Sequence, residues 1–183
     1  MRKVTQAVTV FYSSTADDGA KVRKLSVDRV VKKVERSRDV AIRLIYWDED
    51  IPGGVAENTG QDRIDKEVLG AFDVYVGCMG TKFGPGTVKE FSDAIDAHVK
   101  TGHPAEVLFA FDETPVNPYQ IPDNFKKAKD FRKSLQSATK YGKAILYFTF
   151  SDLTQFEDKL QKDLEEAVRR ATSRIRGGMP RLR

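Results

Sequence analysis

Hydrophobic positions along the chain switch repeatedly between two periods: short apolar runs that read as buried strands, and stripes at steps of three and four that read as helix faces. Residues 7 to 12, AVTVFY, form a compact apolar strand. Val22, Leu25, Val30, Val31 and Val34 then recur at helical spacing, on a helix predicted to begin near Asp17 or Asp18. Val40 to Trp47 predicts a second strand. After a loop at Pro52-Gly53-Gly54, Ile64, Val68 and Leu69 mark a shorter helix. Phe72 to Met79 predicts a third strand, followed by a helix with Val88, Phe91, Ile95 and His98 on one face. Glu106 to Phe111 predicts a fourth strand, closed by the proline-marked loop 114 to 122. Phe125, Ala128, Phe131, Leu135 and Ala138 share the next helical face, and Ala144 to Phe150 predicts a fifth strand. A last helix, from about Asp152, carries Leu153, Phe156, Leu160, Leu164 and Val168.

Strands and helices alternating at these lengths imply a parallel sheet covered on both faces. The expected fold class is α/β: a flavodoxin-like, doubly wound, five-stranded parallel sheet in the order 2-1-3-4-5. The 183 residues suit a single domain over 1–176, with 177–183 as a basic tail or linker.

Composition narrows the classes. With 40% hydrophobic and 32% charged residues, the chain is globular in character, and no apolar run approaches the roughly 18 residues of a membrane span. The opening MRKVTQAVTVF lacks the apolar core and cleavage site of a signal peptide. Cys78 is the sole cysteine, so no internal disulfide can form, and a cytoplasmic location is expected. The net charge of +4 is mild. Arg169, Arg170, Arg174, Arg176, Arg181 and Arg183 crowd the C-terminus, whereas charges elsewhere are well mixed. A linker into a further domain after Arg183 explains that tail as well as nucleic acid does, and nucleic-acid binding is not expected.

The richest stretch chemically is Phe72 to Phe91, FDVYVGCMGTKFGPGTVKEF. A buried strand leads into a loop with Gly80, Gly84 and Gly86, then into a helix predicted to start near Thr87 with Glu90 in its first turn. Ligands of open α/β sheets bind outside the carboxyl ends of the strands, which makes this corner a candidate site. Other chemistries drop out. The first strand is followed by YSSTADDG, without a dinucleotide fingerprint, and the glycine loop lacks the Gly-Lys-Ser/Thr of a phosphate-binding loop. A phosphoacceptor aspartate is missing at Met79-Gly80, and His98 and His103 have no partners at metal-ligand spacing. His98 reads as a packed histidine and Cys78 as core. Glu90 itself has a structural reading: Thr87-Val88-Lys89-Glu90 is a capping-box pattern, as is Thr154-Gln155-Phe156-Glu157.

Taken together these segments resemble the TIR-like (Toll/interleukin-1 receptor-like) domains, in the bacterial branch catalogued as a domain of unknown function at the head of larger, often NTPase-containing, proteins. The resemblance covers nearly the whole chain. It is carried by VFYSSTADD (10 to 18), Trp47, the Pro52-Gly53-Gly54 loop, QDRIDKE (61 to 67), FDVYVG (72 to 77), Gly80-Thr81-Lys82-Phe83-Gly84, Gly86-Thr87-x-x-Glu90-Phe91 and SDLTQFEDKL (151 to 160). The chain departs from the pattern in a shorter loop between Gly84 and Gly86, and in Lys82 where arginine is common.

Catalytic TIR domains, and the similarly folded nucleoside 2-deoxyribosyltransferases, cleave N-glycosidic bonds with a glutamate. The resemblance selects Glu90 as the catalytic position. It implies an NAD-consuming glycohydrolase, with NAD as substrate, no cofactor and no metal, acting as the effector of a bacterial antiphage-defence or signalling protein and working through self-association. Ser13 and Ser14, with Thr15 and the Gly84–Gly86 turn, are candidates to hold a pyrophosphate, since free backbone N–H groups at helix starts bind phosphate. Trp47 and Phe83 are candidate stacking surfaces. The rival reading is a non-catalytic self-association or nucleotide-sensing module. A third is a deoxyribosyltransferase-like enzyme, for which Asp48, Glu49 and Asp50 are the one cluster able to supply a second carboxylate.

Overall fold

The structure is a computed structural model that describes residues 7–46, 71–115, 121, 124–136 and 147–177. Nine elements follow one another: β1 (Val8–Ser14), α1 (Ala20–Arg38), β2 (Ile42–Tyr46), β3 (Val74–Met79), α2 (Pro85–Thr101), β4 (Glu106–Asp112), α3 (Phe125–Gln136), β5 (Phe148–Phe150) and α4 (Leu153–Arg176). The five strands form one parallel sheet in the order β2-β1-β3-β4-β5, the expected doubly wound arrangement. The helix expected around 64–69 and the strand residues 144–146 lie outside the described residues.

Strand alternation sorts the core into two layers. Val8, Val10 and Tyr12 of β1 and Val74, Val76 and Cys78 of β3 face α1 and α4, where Val27, Val30, Val34, Phe156, Leu160 and Leu164 complete one cluster. Phe11, Tyr75, Met79, Phe109 and Phe111 face the other way, against Phe91, Ala94 and Ile95 of α2 and Ala128 and Leu135 of α3. This second layer is an aromatic stack: Phe91 meets Phe109 at 4.6 Å between ring centroids, and Phe109 meets Phe111 at 5.0 Å. Gly77 sits beneath it because a Cβ there would press on the Phe109 ring at 2.5 Å.

Two helices differ from the sequence expectation, α1 in its buried face and α2 in its start. On α1 the buried face is Arg23, Ser26, Val27, Val30, Val31 and Val34, while Val22 and Leu25 are exposed. The apolar stripe is therefore rotated toward Arg23. On α2 the helix begins at Pro85, with Gly84 as N-cap. Proline suits the first helical position, where its missing N–H costs nothing and its φ is already helical. Thr87 is then the third residue of the helix and Glu90 lies in its second turn, so no capping box forms. The look-alike in α4 fails for the same reason: Asp152 caps that helix by accepting from the Gln155 N–H at 2.9 Å, and Glu157 pairs with Arg29 of α1 at 2.5 Å.

Candidate functional site

The carboxyl edge of the sheet is where β1, β3 and β4 hand over to their loops. Consecutive side chains of a strand point to opposite faces, so Ser13 and Ser14 diverge. Ser13, 1% exposed, turns toward α2, and its hydroxyl donates to the Glu90 carboxylate. Its Oγ also lies 3.3 Å from Thr87 Oγ1. Glu90 is 5% exposed, reaching from the inner face of α2 to the end of β1. Tyr75 completes the group, its hydroxyl donating to the Thr87 carbonyl at 3.4 Å. Burial, reinforced by the Glu90 charge, holds the Tyr75 phenol well above its ordinary pKa, so it stays a neutral donor. Carboxylate, serine, threonine and phenol thus converge from three elements.

Ser14 belongs to a different assembly, on the α1 side. Arg23, 1% exposed, donates to Asp17 Oδ1 at 2.7 Å, to Asp112 Oδ2 at 3.2 Å, to Ser14 Oγ at 3.2 Å and to the Thr15 carbonyl at 3.4 Å. Burial opposes its charge, but Cys78 and Asp17 outweigh that, and the net shift of the guanidinium pKa is upward. Thr15 Oγ1 donates to Asp17 Oδ2 at 2.9 Å and accepts from the Gly80 N–H at 3.2 Å. A Cβ on Gly80 would collide with the Asp17 carboxylate, which is why the turn after β3 needs glycine here. Cys78 lies on this face, fully buried, with its thiol pushed up to about 12 by burial. It is inert core at neutral pH.

A cavity of about 350 Å³ opens beside this edge, between the end of β4 and α3. Phe111, Phe125 and Ala128 give it apolar walls, and Asp112, Lys129 and Arg132 bring charge to it. Glu113, at its rim, pairs with Arg132.

Of the sequence candidates, Ser13 and Glu90 are brought into direct contact and Ser14 is turned away from them. Gly84 meets the β1–α1 loop instead of open space: a Cβ on it would lie 2.6 Å from Thr15 Cγ2. Phe83 is packed against α3, with its ring 6.3 Å from that of Phe131 and its carbonyl accepting from Asn124 Nδ2 at 3.1 Å. Trp47 and residues 48–50 lie outside the described residues. His98 is a packed histidine, its Nδ1 2.8 Å from the Pro104 carbonyl. Sequence reasoning missed Tyr75, Arg23 and Asp112. Tyr75 was legible in principle, since it is two residues before Gly77, the partner of Ser13 in the β1–β3 register, and so shares its face. Arg23 carried a weaker signal, a cation on the phase of Val27, Val30 and Val34.

No protein-family model and no curated protein matches the chain. Among solved structures, it is similar to the TIR domains in the structure of the activated Roq1 resistosome directly recognizing the pathogen effector XopQ. That match has a TM-score of 0.52 at 13% identity and covers 86% of this chain and 99% of that one. The fold is TIR-like. Among the described residues, no helix is long and apolar enough to cross a membrane.

Proposed function

We propose that this TIR-like domain hydrolyses the bond between nicotinamide and ribose in NAD, with Glu90 as the catalytic carboxylate. The observation that carries the reading is the use to which Glu90 is put. It does not cap its own helix; it crosses from α2 to the carboxyl end of β1 and accepts from Ser13. A carboxylate in that place meets the electrostatic need of the reaction. As the bond breaks, its electron pair leaves with the pyridine nitrogen, which becomes neutral, and positive charge builds on the ribose. An adjacent anion stabilises that charge, and water then adds to the sugar carbon and gives up its proton to solvent. The leaving group needs no proton, so one carboxylate suffices. Ser13 orients Glu90, and Tyr75 stays a neutral donor beside it, adding no competing negative charge.

The matched TIR domains belong to an activated resistosome. This supports a domain that acts as the effector of a defence or signalling protein and is switched on by self-association. The rival reading, a non-catalytic TIR-like module, draws on the burial of the same residue: at 5% exposure Glu90 also serves to tie α2 to β1. Incubating the concentrated, crowded wild-type chain with NAD, and separately with free deoxynucleosides, separates the readings. Nicotinamide and an ADP-ribose product from NAD alone support the glycohydrolase. An assembled chain that leaves NAD intact overturns it, and base exchange on free nucleosides would point to a deoxyribosyltransferase.

A further inference from the structure

We propose that the cavity between β4 and α3 is a second binding site, for a mononucleotide-sized aromatic anion, distinct from the Glu90 group. Its ring would lie against Phe111 and Phe125, an amino N–H carried by the ring would be donated to Asp112, and its anionic group would rest on Lys129. Size comes first. At about 350 Å³ the cavity falls at the lower end of the roughly 300–1,000 Å³ range of small-molecule sites. That admits one ring system with a polar appendage and is too small for a dinucleotide. Glu90 and Ser13 are not among its lining residues.

The lining then selects the chemistry. Phe111, Phe125, Pro115 and Ala128 give the cavity apolar walls against which a ring can lie. Asp112 is a preorganised acceptor. Its Oδ2 is fixed by Arg23 at 3.2 Å and its Oδ1 by the Thr114 N–H at 2.9 Å. A carboxylate has about four acceptor positions, so two remain for a ligand N–H. Charge bookkeeping gives the last feature. Arg23 is shared between Asp17 and Asp112, and Arg132 and Glu113 pair with each other at the rim. Lys129 is the exposed lining cation, poised 4.7 Å over the Phe125 ring. Lys126 and Lys127 on the same helix add to the positive field, and such a field draws an anion. A nucleobase with one phosphate satisfies all three demands. This assignment does not depend on the proposed NAD hydrolysis.

The test is titration of the isotopically labelled chain with adenosine monophosphate, following backbone amide resonances, with adenosine and inorganic phosphate as parallel arms. The expected result is saturable shifts at Gly80, Phe111, Thr114 and Lys129. Adenosine should shift the same amides with about tenfold weaker affinity, and phosphate alone should give no saturation there. Lys129→Glu, an exposed change on α3, should weaken adenosine monophosphate about tenfold and leave adenosine unchanged. Ala128→Leu, which fills the cavity, should abolish both. Absence of saturable shifts, shifts centred on Ser13 and Thr87, or an affinity indifferent to Lys129→Glu would each overturn the proposal.

Discussion

Ser13 and Ser14 are neighbours in the chain, yet they open onto two differently built polar clusters, one on each face of the sheet. On the α1 face, Arg23 joins two carboxylates, a hydroxyl and a carbonyl across the ends of β1 and β4. On the α2 face, the Glu90 carboxylate is reached by the hydroxyl of Ser13, with Thr87 and Tyr75 alongside. The first is knit by opposite charges and closes the sheet edge. The second brings a carboxylate to the Ser13 hydroxyl, beside a threonine and a phenol. A buried ion pair stabilises chiefly in the sense that breaking it is costly. In the proposed function the Glu90 carboxylate serves chemistry, and the hydrogen bond from Ser13 contributes about 1 kcal/mol to stability. The difference teaches which cluster is structural.

Mutations can break or sharpen that contrast. The largest effect is expected from Arg23→Ala, which strands Asp17 and Asp112 without their cation. It should cost about 3–5 kcal/mol in chemical denaturation, and a loss below 1 kcal/mol would mean the cluster is not the clasp described. Gly80→Ala comes next, because the added Cβ runs into the Asp17 carboxylate and the loop must shift. Overpacking of this kind costs about 1–3 kcal/mol, read as a lowered midpoint with an unchanged denaturant slope. Ser13→Ala, on the other face, should cost about 1 kcal/mol of stability while cutting NAD turnover by a larger factor than any Arg23-face variant of equal stability. Equal losses in both quantities would erase the distinction between the clusters.

The smallest effect concerns pH. The hydrogen bond from Arg132 holds the Glu113 carboxyl below the usual range, against a small opposing effect of burial. A depressed acid contributes stability above its unfolded pKa and loses it as pH falls through the folded value. Glu113→Gln should therefore flatten the acid limb of the stability curve, by no more than about 0.5 kcal/mol for so exposed a pair. An unchanged acid limb in thermal melts would contradict the pairing.

Much of the fold was legible because the sheet imposes its own periods. The runs in β1 and β3 are buried along nearly their whole length, so they read as continuous apolar segments, and the five-unit alternation set the strand order. The helix starts were harder. Thr87-x-x-Glu90 and Thr154-x-x-Glu157 imitate capping boxes, but in both cases the glutamate answers a partner far away in sequence, Ser13 or Arg29. Pro85 was the better local signal, since a proline fits the first turn and nowhere deeper. Arg23 shows why local pattern fails at such sites. Val22 and Leu25 looked like the apolar face, whereas the buried phase belongs to a cation whose partners, Asp17 and Asp112, lie on separate loops and strands. Glu90 was identified by resemblance and by its position after the glycine loop. Its contact with Ser13 emerges only from the parallel register that sets the end of β1 beside β3 and α2.

The most direct measurement is nicotinamide release from NAD by the wild-type chain and by Glu90→Gln, each at high concentration with a crowding agent and each with its unfolding curve recorded. Glutamine keeps the size of the side chain and can still accept from Ser13, so stability should move by only about 1 kcal/mol. Turnover should fall at least about a hundredfold, as expected when a charge that stabilises the transition state is removed. Turnover that survives in Glu90→Gln, or that is absent from the folded wild-type chain under the same conditions, would contradict the account and leave Glu90 as a tie between α2 and β1.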